Sequence, residues 1–169
     1  LTAITRTRLA HAFARKISAA DLWEAEGQLS LHVPVQQSGL MAEFRRRVVA
    51  SEGQALGMPV TRHRDLAQLT DAVAGDPDAL GVTTYSQIGA AVPLVLSGPC
   101  RFASVATEDA LRTVDYPLTL PLYLYPPARR LPKVARDFLA FTRTPEAHAA
   151  VRAAGFVDQF DALGFELLA

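Results

Sequence analysis

The sequence contains a single cysteine, and this scarcity excludes an internal disulfide and any zinc site built from several thiolates. The four histidines are scattered, and none stands at metal-ligand spacing from another His, a Cys or a carboxylate. Net charge is also missing, because 17 basic residues balance 17 acidic ones. Nucleic-acid binding requires a clustered positive surface, so we expect no nucleic-acid partner.

Signatures of membrane spans and of common enzymes are absent as well. No apolar run approaches the ~20 residues that a membrane-spanning helix needs. The Gly-x-Ser-x-Gly elbow of hydrolases is broken at Ser38, because Gln36 occupies the place of the first glycine. His63 and Asp65 resemble a base and its orienting carboxylate only in their spacing, and there is no phosphate-cradling or dinucleotide-binding glycine loop. We therefore expect no catalytic activity, no cofactor and no bound metal.

The chain does contain alternating signals for strands and helices. Period-two alternation of apolar residues marks strands, and apolar residues three and four apart mark helices. The helices are expected over about 5–16, 39–49, 65–74, 107–112, 133–141 and onward from Thr144, and the strands over 29–35, 60–62, 80–85, 93–96 and 115–125. Strands that alternate with helices in this way predict an α/β fold around a largely parallel or mixed sheet.

The junction between the strand at 29–35 and the next helix is a candidate anion site. The chain turns at Ser38 and Gly39, where the first backbone N–H groups of the helix have no partner inside it. Such a terminus favours an anion through its free donors and through the helix dipole. Ser38 offers a hydroxyl, and Gly39 permits close approach to the backbone. The other interpretation, that Ser38 is an ordinary helix N-cap, stays open.

Three stretches resemble one known family, and they occur in the family's order. They are Leu1-Thr2…Leu9-Ala10…Phe13, the junction Pro34–Phe44, and Asp115-Tyr-Pro-Leu-Thr-Leu-Pro-Leu-Tyr-Leu-Tyr125 with its following helices up to Gly155-Phe-Val157. This order resembles the phosphate-binding-protein-like family, the type II periplasmic receptors that feed ABC importers. The resemblance implies a three-layer α/β sandwich with a mixed, mainly parallel sheet flanked by helices. It also implies a periplasmic location, a small anion such as phosphate or sulfate as ligand, and the membrane subunits of an ABC importer as partners.

The resemblance covers only part of a two-lobed receptor. It implies that residues 1–115 form the second lobe and that residues 116–169, here named the return segment, pack towards a first lobe. Since the sequence starts at Leu1 and shows no signal peptide, we expect it to be a piece of a longer, exported protein. Without a first lobe, the return segment is expected to leave apolar residues uncovered and to promote a homodimer. These residues are Phe138, Phe141, Val151 and Phe156.

The resemblance also assigns candidate ligand contacts, with two departures. Ser38 and Gly39 match the family's oxyanion loop, but Leu40 stands where the family has threonine. No arginine occupies Pro34–Gln37, so Gln36 and Gln37 line the loop in its place. Losing a charge-assisted pair costs on the order of 1.5–3 kcal/mol, so phosphate binding is expected to be weak. Gly81–Ser86 is similar to a strand end near the family's cleft. There, Thr84 and Tyr85 are neutral donors to a ligand or, in the other interpretation, strand-end packing with an N-cap.

Two functions of different classes remain. The first is a solute-binding module with a weakened anion site, which delivers a small anion or another polar solute to an ABC importer. The second is an interaction or architectural module of the cell envelope that keeps the fold without ligand binding. Residues 100–125 are similar to a branch of this family that is fused to a peptidoglycan-binding domain resembling the C-terminal part of outer membrane protein A.

Overall fold

Strands and helices alternate through the part of the chain that the computed structural model describes, residues 3–23, 27–35, 37–98 and 102–158. Gln36 and Cys100 lie outside these ranges. The helices are α1 (Arg6–Phe13), α2 (Ala19–Leu22), α3 (Gly39–Phe44), α4 (Leu66–Ala74), α5 (Glu108–Arg112), α6 (Lys133–Phe141) and α7 (Pro145–Ala153). The strands are β1 (Ile4–Thr5), β2 (Ser30–Pro34), β3 (Thr61–His63), β4 (Ala79–Gly81), β5 (Leu96–Ser97) and β6 (Ala103–Ser104). A π-helical turn (Arg45–Val49) and a 3-10 turn (Ala50–Glu52) continue α3, and another 3-10 turn (Tyr85–Gln87) follows β4.

The strands form two three-stranded sheets. In the first sheet the order is β3-β2-β4, and both neighbours run parallel to β2. Its register places Pro34 beside His63 and His32 beside Gly81. In the second sheet the order is β1-β5-β6, with β1 parallel and β6 antiparallel to β5. The mixed, mainly parallel arrangement confirms the predicted α/β fold class.

Helices cover both faces of the first sheet and give three layers. Alternation along β2 turns Leu31 and Val33 to one face, where they are buried with residues of α1 and α3. On that side the rings of Phe13 and Phe44 meet edge to face, with centroids 4.7 Å apart. α4 lies on the opposite face. There Gly81 leaves room for it, because a Cβ at this position would come within 2.7 Å of Val73.

Polar side chains cap the N-termini of several helices. Ser38, Asp65, Thr107 and Thr144 each accept a hydrogen bond from a first-turn amide of the helix that they precede. The predicted start of a helix at Thr144-Pro145-Glu146 is therefore confirmed as α7. That helix ends at Ala153, and Gly155 follows its C-cap with a φ of +78°, which suits glycine.

The strand expected over residues 115–125 is wrong. Tyr116 to Leu118 form a turn, and the chain continues from Thr119 to Tyr125 without regular hydrogen bonding. Prolines at 117 and 121 cannot donate to a ladder, and no strand in the described ranges pairs with the segment. Leu122 to Tyr125 are consequently exposed, Tyr125 to 85%. Apolar alternation predicted a strand here, but a strand also needs a partner.

Several other predicted boundaries differ. The strand expected over 80–85 ends at Gly81, because the chain turns into a 3-10 helix at Tyr85. Only Leu96 of the strand expected over 93–96 is paired, in β5. β1 and β6, two residues each, are too short to produce a periodic signal.

The described part of the return segment, residues 116–158, contacts the rest of the chain at few points. Tyr116 and Leu118 pack against the main core, and the Arg47 guanidinium donates to the Thr119 carbonyl over 2.7 Å. Further along, Ala147 is buried. The four apolar residues that were predicted to be uncovered are exposed by 41–54%, which confirms the prediction. They are Phe138, Phe141, Val151 and Phe156. No helix among the described residues has the length and apolarity needed to cross a bilayer.

Candidate functional site

The carboxyl ends of β2, β3 and β4 meet at one edge of the first sheet, because the three strands are parallel. Ligands of open α/β sheets bind outside this edge, in the loops that follow the strands. Those loops begin at Val35 after β2, Arg64 after β3 and Val82 after β4. Since β2 is central, its loop lies between the other two, and the edge therefore contains all the predicted site residues that the structure describes.

Ser38 and Gly39 form a tight turn into α3. The Ser38 amide donates to the Val35 carbonyl (3.0 Å), and the Ser38 hydroxyl oxygen accepts from the Met41 amide (3.1 Å). This is the geometry of an N-cap, and it leaves the hydroxyl proton available to another acceptor. A Cβ at Gly39 would meet no atom within 4 Å. The turn therefore presents backbone donors and one hydroxyl to open space.

The residues beside this turn contribute less. Leu40 is half-buried and packs against the core, so only its backbone can contact a ligand. Gln37 is exposed. With Leu40 in the place of a threonine, the turn has one hydroxyl donor rather than two.

Thr84 and Tyr85 lie after β4, at the same edge. The hydroxyls of Thr84 and Ser86 are 3.1 Å apart and hydrogen-bond to each other. Ser86 is also covered by the return segment, since a Cβ at Gly155 would come within 2.9 Å of its Cβ. Tyr85 remains 39% exposed. Tyr85 is thus more exposed than Thr84 and Ser86, which are half-buried.

Sequence reasoning missed two features of the edge. Arg64, directly after β3, is exposed and forms no hydrogen bond or ion pair with another described residue. It places a free cation directly after β3, the strand that neighbours β2. A polar strand, Thr61-Arg-His63, directly before a helix cap was the available signal for it.

The second missed feature is a histidine pair. His32 Nδ1 and His63 Nε2 are 3.0 Å apart, and both rings are half-buried. The pKa of His32 is lowered, first because burial disfavours the charged ring and then because His63 lies beside it, while Asp76 acts in the opposite direction. No group of three or more His, Cys, Asp or Glu side chains in the described ranges is placed to hold a metal ion.

An open hollow elsewhere does not belong to this edge. It lies between the β5–β6 turn and α5 and is lined by Gly98, Phe102, Ala103, Ser104, Asp109, Ala110, Thr113, Val114 and Asp115. Phe102 is 80% exposed there, and both charged side chains of the lining, Asp109 and Asp115, are acidic, which disfavours an anion. We place the candidate site at the sheet edge instead, since that is where the loops with candidate ligand donors meet.

The structure resembles solved phosphate receptors. It matches a phosphate transport receptor of ABC type from Vibrio cholerae with a TM-score of 0.65 and 13% identity, over 94% of this chain and 64% of that chain. It matches a phosphate ABC transporter substrate-binding protein from Clostridium perfringens, described as putative and solved with bound phosphate, with a TM-score of 0.64 and 14% identity, over 94% and 63%. It also matches PstS from Borrelia burgdorferi with a TM-score of 0.61 and 13% identity, over 93% and 64%.

The chain has the fold of these receptors. It spans less than two thirds of their length, and at this identity the likeness concerns the fold alone. No protein-family model matches the sequence, and no curated protein matches it. The agreement with the sequence resemblance comes from a separate property, the path of the backbone.

Proposed function

We propose that this chain is one part of a periplasmic solute-binding receptor that presents a small oxyanion, phosphate or sulfate, to an ABC importer. The observation that carries the proposal is the shared fold over 94% of the chain, with a phosphate-bound structure among the matches. The sheet edge adds support, since backbone donors, hydroxyls and a free arginine follow the parallel strands there. This combination suits an anion. It contains no nucleophile paired with a general base, which catalysis would require.

The proposed ligand contacts are the loop Gln36–Leu40, with the Ser38 hydroxyl and the Gly39 backbone as its donors, and Thr84 and Tyr85 across the edge. Arg64 supplies the positive charge from β3. The site is weakened because the loop itself has no arginine, which would form two parallel bonds to a phosphate. An exposed arginine on a neighbouring strand is more strongly screened by water, so it replaces only part of that energy.

We further propose that residues 1–115 act as one lobe and that the return segment, 116–169, packs onto a companion lobe. The matched receptors are longer than the aligned region, which covers 64% of the first one. The apolar side chains of the return segment that lack cover in the described residues are the surface for that contact.

Titration with inorganic phosphate, followed by backbone NMR, tests the oxyanion site. We expect millimolar phosphate to shift the amide signals of Ser38, Gly39 and Leu40, and Ser38→Ala to reduce the response. Thr107→Ala is the matched control, because Thr107 caps α5 with the same geometry, 3.2 Å to the Ala110 amide, away from the edge. Both variants lose a cap, but only Ser38→Ala is expected to change the phosphate response.

Two results would contradict parts of this proposal. Micromolar or tighter affinity by calorimetry would show that the site is not weakened. An absence of amide shifts at the edge, with both phosphate and sulfate, would remove the oxyanion function and favour the second candidate.

That second candidate is an envelope interaction module without a ligand, joined to a peptidoglycan-binding domain. Its specific support is the apolar return segment, in which Tyr125 is 85% and Val134 79% exposed, together with the arginine-free loop. Co-sedimentation of the full-length protein with purified peptidoglycan tests it. Binding there, combined with no phosphate response, would establish this candidate in place of the receptor.

A further inference from the structure

Strand β3 is held to the sheet differently from its neighbours. Its residues, Thr61, Arg62 and His63, include no apolar side chain, and the first two are exposed. β3 lies at the edge of its sheet and pairs with β2 alone among the described strands. Arg15 fixes the approach to the strand by donating to the Pro59 carbonyl over 2.9 Å. Hydrophobic burial of its own side chains therefore contributes little to keeping β3 in place, and the nearest apolar contact with the core is that of Val60, directly before the strand.

The side chain that joins β3 to β2 is His63, through its bond to His32. The rings are nearly parallel, at 27°, and their centroids are 5.2 Å apart, while the bonded nitrogens are 3.0 Å apart. The centroid distance exceeds the nitrogen distance by about the size of one ring, so the rings meet edge to edge. The contact is an in-line N–H···N hydrogen bond, and face-to-face stacking does not account for it.

We propose that the His32–His63 hydrogen bond is a proton-operated latch that holds β3 against β2 near neutral pH and releases it on acidification. An imidazole can accept a hydrogen bond only when its ring nitrogen is unprotonated. The latch therefore needs at least one neutral ring. Adding the proton that makes both rings cationic removes the acceptor and places two positive charges side by side.

The direction of the pH effect follows from the burial of the pair. Folding lowers the pKa of His32, chiefly because burial disfavours its charged form. Its neutral form thus contributes stability above the ordinary histidine pKa, and this contribution is lost as the pH falls through the folded-state value. Asp76 opposes the shift without removing it. β4 carries no charged residue, and the other charged groups on the surrounding elements are Arg62, Arg64, Asp65, Asp71 and Asp78.

Release of β3 would also loosen the loop that follows β2. The Val35 amide donates to the His63 carbonyl over 3.0 Å, and the Ser38 amide donates to the Val35 carbonyl over 3.0 Å. This short chain of bonds connects the latch to the turn at Ser38. Any effect of acid on solute affinity rests on the proposed function, whereas opening of the strand does not.

Amide hydrogen exchange of the full chain tests the latch by comparing the two sides of β2. The Val35 amide reports on the β3 side of β2, and the Val82 amide, which donates to the His32 carbonyl over 3.1 Å, reports on the β4 side. On lowering the pH from about 7.5 to well below the ordinary histidine pKa of 6.5, we expect the protection of Val35, corrected for the intrinsic rate, to fall roughly tenfold or more. Val82 should change little.

Two variants separate the latch from general acid sensitivity. Replacing both His32 and His63 by Gln removes the two imidazoles of the latch, so the protection of Val35 should become independent of pH. His11→Gln, which removes a histidine from α1, should keep the wild-type response. An equal loss at Val35 and Val82, or a loss that persists in the double Gln variant, would overturn the proposal.

Imidazole nitrogen NMR of the wild type gives a test that needs no variant. At neutral pH one of the two bonded nitrogens, His32 Nδ1 and His63 Nε2, should carry a proton and the other should not. In acid the hydrogen bond between these two nitrogens should disappear, because a protonated ring nitrogen cannot accept. Persistence of that bond at a pH where the Val35 amide has lost its protection would show that no latch exists. This readout involves no solute, so failure of the latch and failure of the receptor function are distinguishable.

Discussion

Helices α1 and α6 present the same apolar spacing but meet opposite environments. In α1, Leu9 and Phe13 are four residues apart and at most 3% exposed, within the core formed with β2 and α3. In α6, Val134 and Phe138 are also four apart, yet they are 79% and 54% exposed. Periodicity thus identifies which face of a helix is apolar, while the partner of that face is decided by residues elsewhere in the chain.

The comparison extends from these helices to the two regions that contain them. The buried hydrophobic cluster lies between Ile4 and Leu96, and Tyr116 and Leu118 contact it from the start of the return segment. Beyond them, Ala147 is the one hydrophobic side chain of the described return segment that is buried. We infer that residues 1–115, here named the body, carry the stability of this chain and that the return segment serves a contact.

The largest expected difference between the regions concerns core packing. Phe13→Ala removes a ring that is 1% exposed and that packs edge to face on Phe44. It should lower the free energy of unfolding by about 3–5 kcal/mol, through lost burial and a residual cavity. Phe138→Ala in α6 should change it by no more than about 0.5 kcal/mol. Urea unfolding of both variants measures the contrast, and equal losses would show that α6 has a buried partner.

A second prediction concerns the point where the return segment enters the core. Burial raises the pKa of Tyr116 to about 12, from its ordinary value of 10.0. Because the folded-state value is the higher one, the neutral phenol contributes stability below pH 10, and this contribution is lost as the pH rises towards 12. A shift of two units corresponds to about 2–3 kcal/mol.

Tyr116→Phe isolates this effect, because its ring packs in the same place and does not ionise. In the wild type, the Tyr116 hydroxyl donates to the Leu94 carbonyl over a long distance, 3.5 Å, so the substitution should cost little at neutral pH. Across the alkaline range the wild type should lose about 2 kcal/mol more than the variant by urea unfolding. Parallel losses in the two proteins would mean that Tyr116 is accessible to water.

A smaller effect is expected where α7 returns to the body. Gly155 has a φ of +78° and lies against Ser86, so alanine at this position meets both a strained backbone and a close contact. Gly155→Ala should cost about 1–2 kcal/mol and shift the amide signals of the 3-10 turn at Tyr85–Gln87. Gly75→Ala is the control, since Gly75 has right-handed helical geometry and a Cβ there lies 3.5 Å from the Asp71 carbonyl oxygen. Shifts at that turn in the control variant, or none in Gly155→Ala, would contradict the contact.

The sequence predicted most of the body and less of the return segment, for a physical reason. Helices α1, α4 and α7 follow from local periodicity and from caps such as Asp65 and Thr144, which act within a few residues. The extended stretch up to Tyr125 depends on a pairing partner, which local pattern cannot supply. The strand prediction was wrong and the prediction of α7 was correct for the same reason. Local sequence determines a helix and its caps, but it does not determine the partner of a strand.

The same distinction applies to the candidate site. The turn at Ser38 was predictable because a strand, a serine, a glycine and a helix are consecutive in the chain. Arg64 and the His32–His63 bond depend on β3 lying beside β2, and a three-residue strand without apolar side chains gives no signal for its neighbour. The contact of Gly155 with Ser86, 69 positions away in the sequence, is likewise a product of the tertiary structure.

Substitutions of exposed phenylalanines in α6 should have the smallest effect on stability, and they should change the oligomeric state. Replacing Phe138 and Phe141 by serine alters side chains that are 54% and 49% exposed, so the unfolding free energy of the monomer should move by no more than about 0.5 kcal/mol. Association should respond more strongly, because exposed apolar patches are the usual sites of protein–protein contact. We expect the unmodified chain to form homodimers at high concentration and the double variant to sediment as a monomer.

A control substitution at Phe102 shows whether self-association depends on the return segment. Phe102 is 80% exposed but lies outside the return segment, so Phe102→Ser removes a ring that is more exposed than either Phe138 or Phe141 without touching α6. If the return segment is the contact surface, this control should dimerise like the unmodified chain. Monomeric sedimentation of the unmodified chain at every concentration would refute self-association and leave the companion lobe as the proposed partner of that surface. Dimerisation that Phe102→Ser abolishes would instead place the contact beside β6, and the division between a stable body and a contact-forming return segment would then have to be withdrawn.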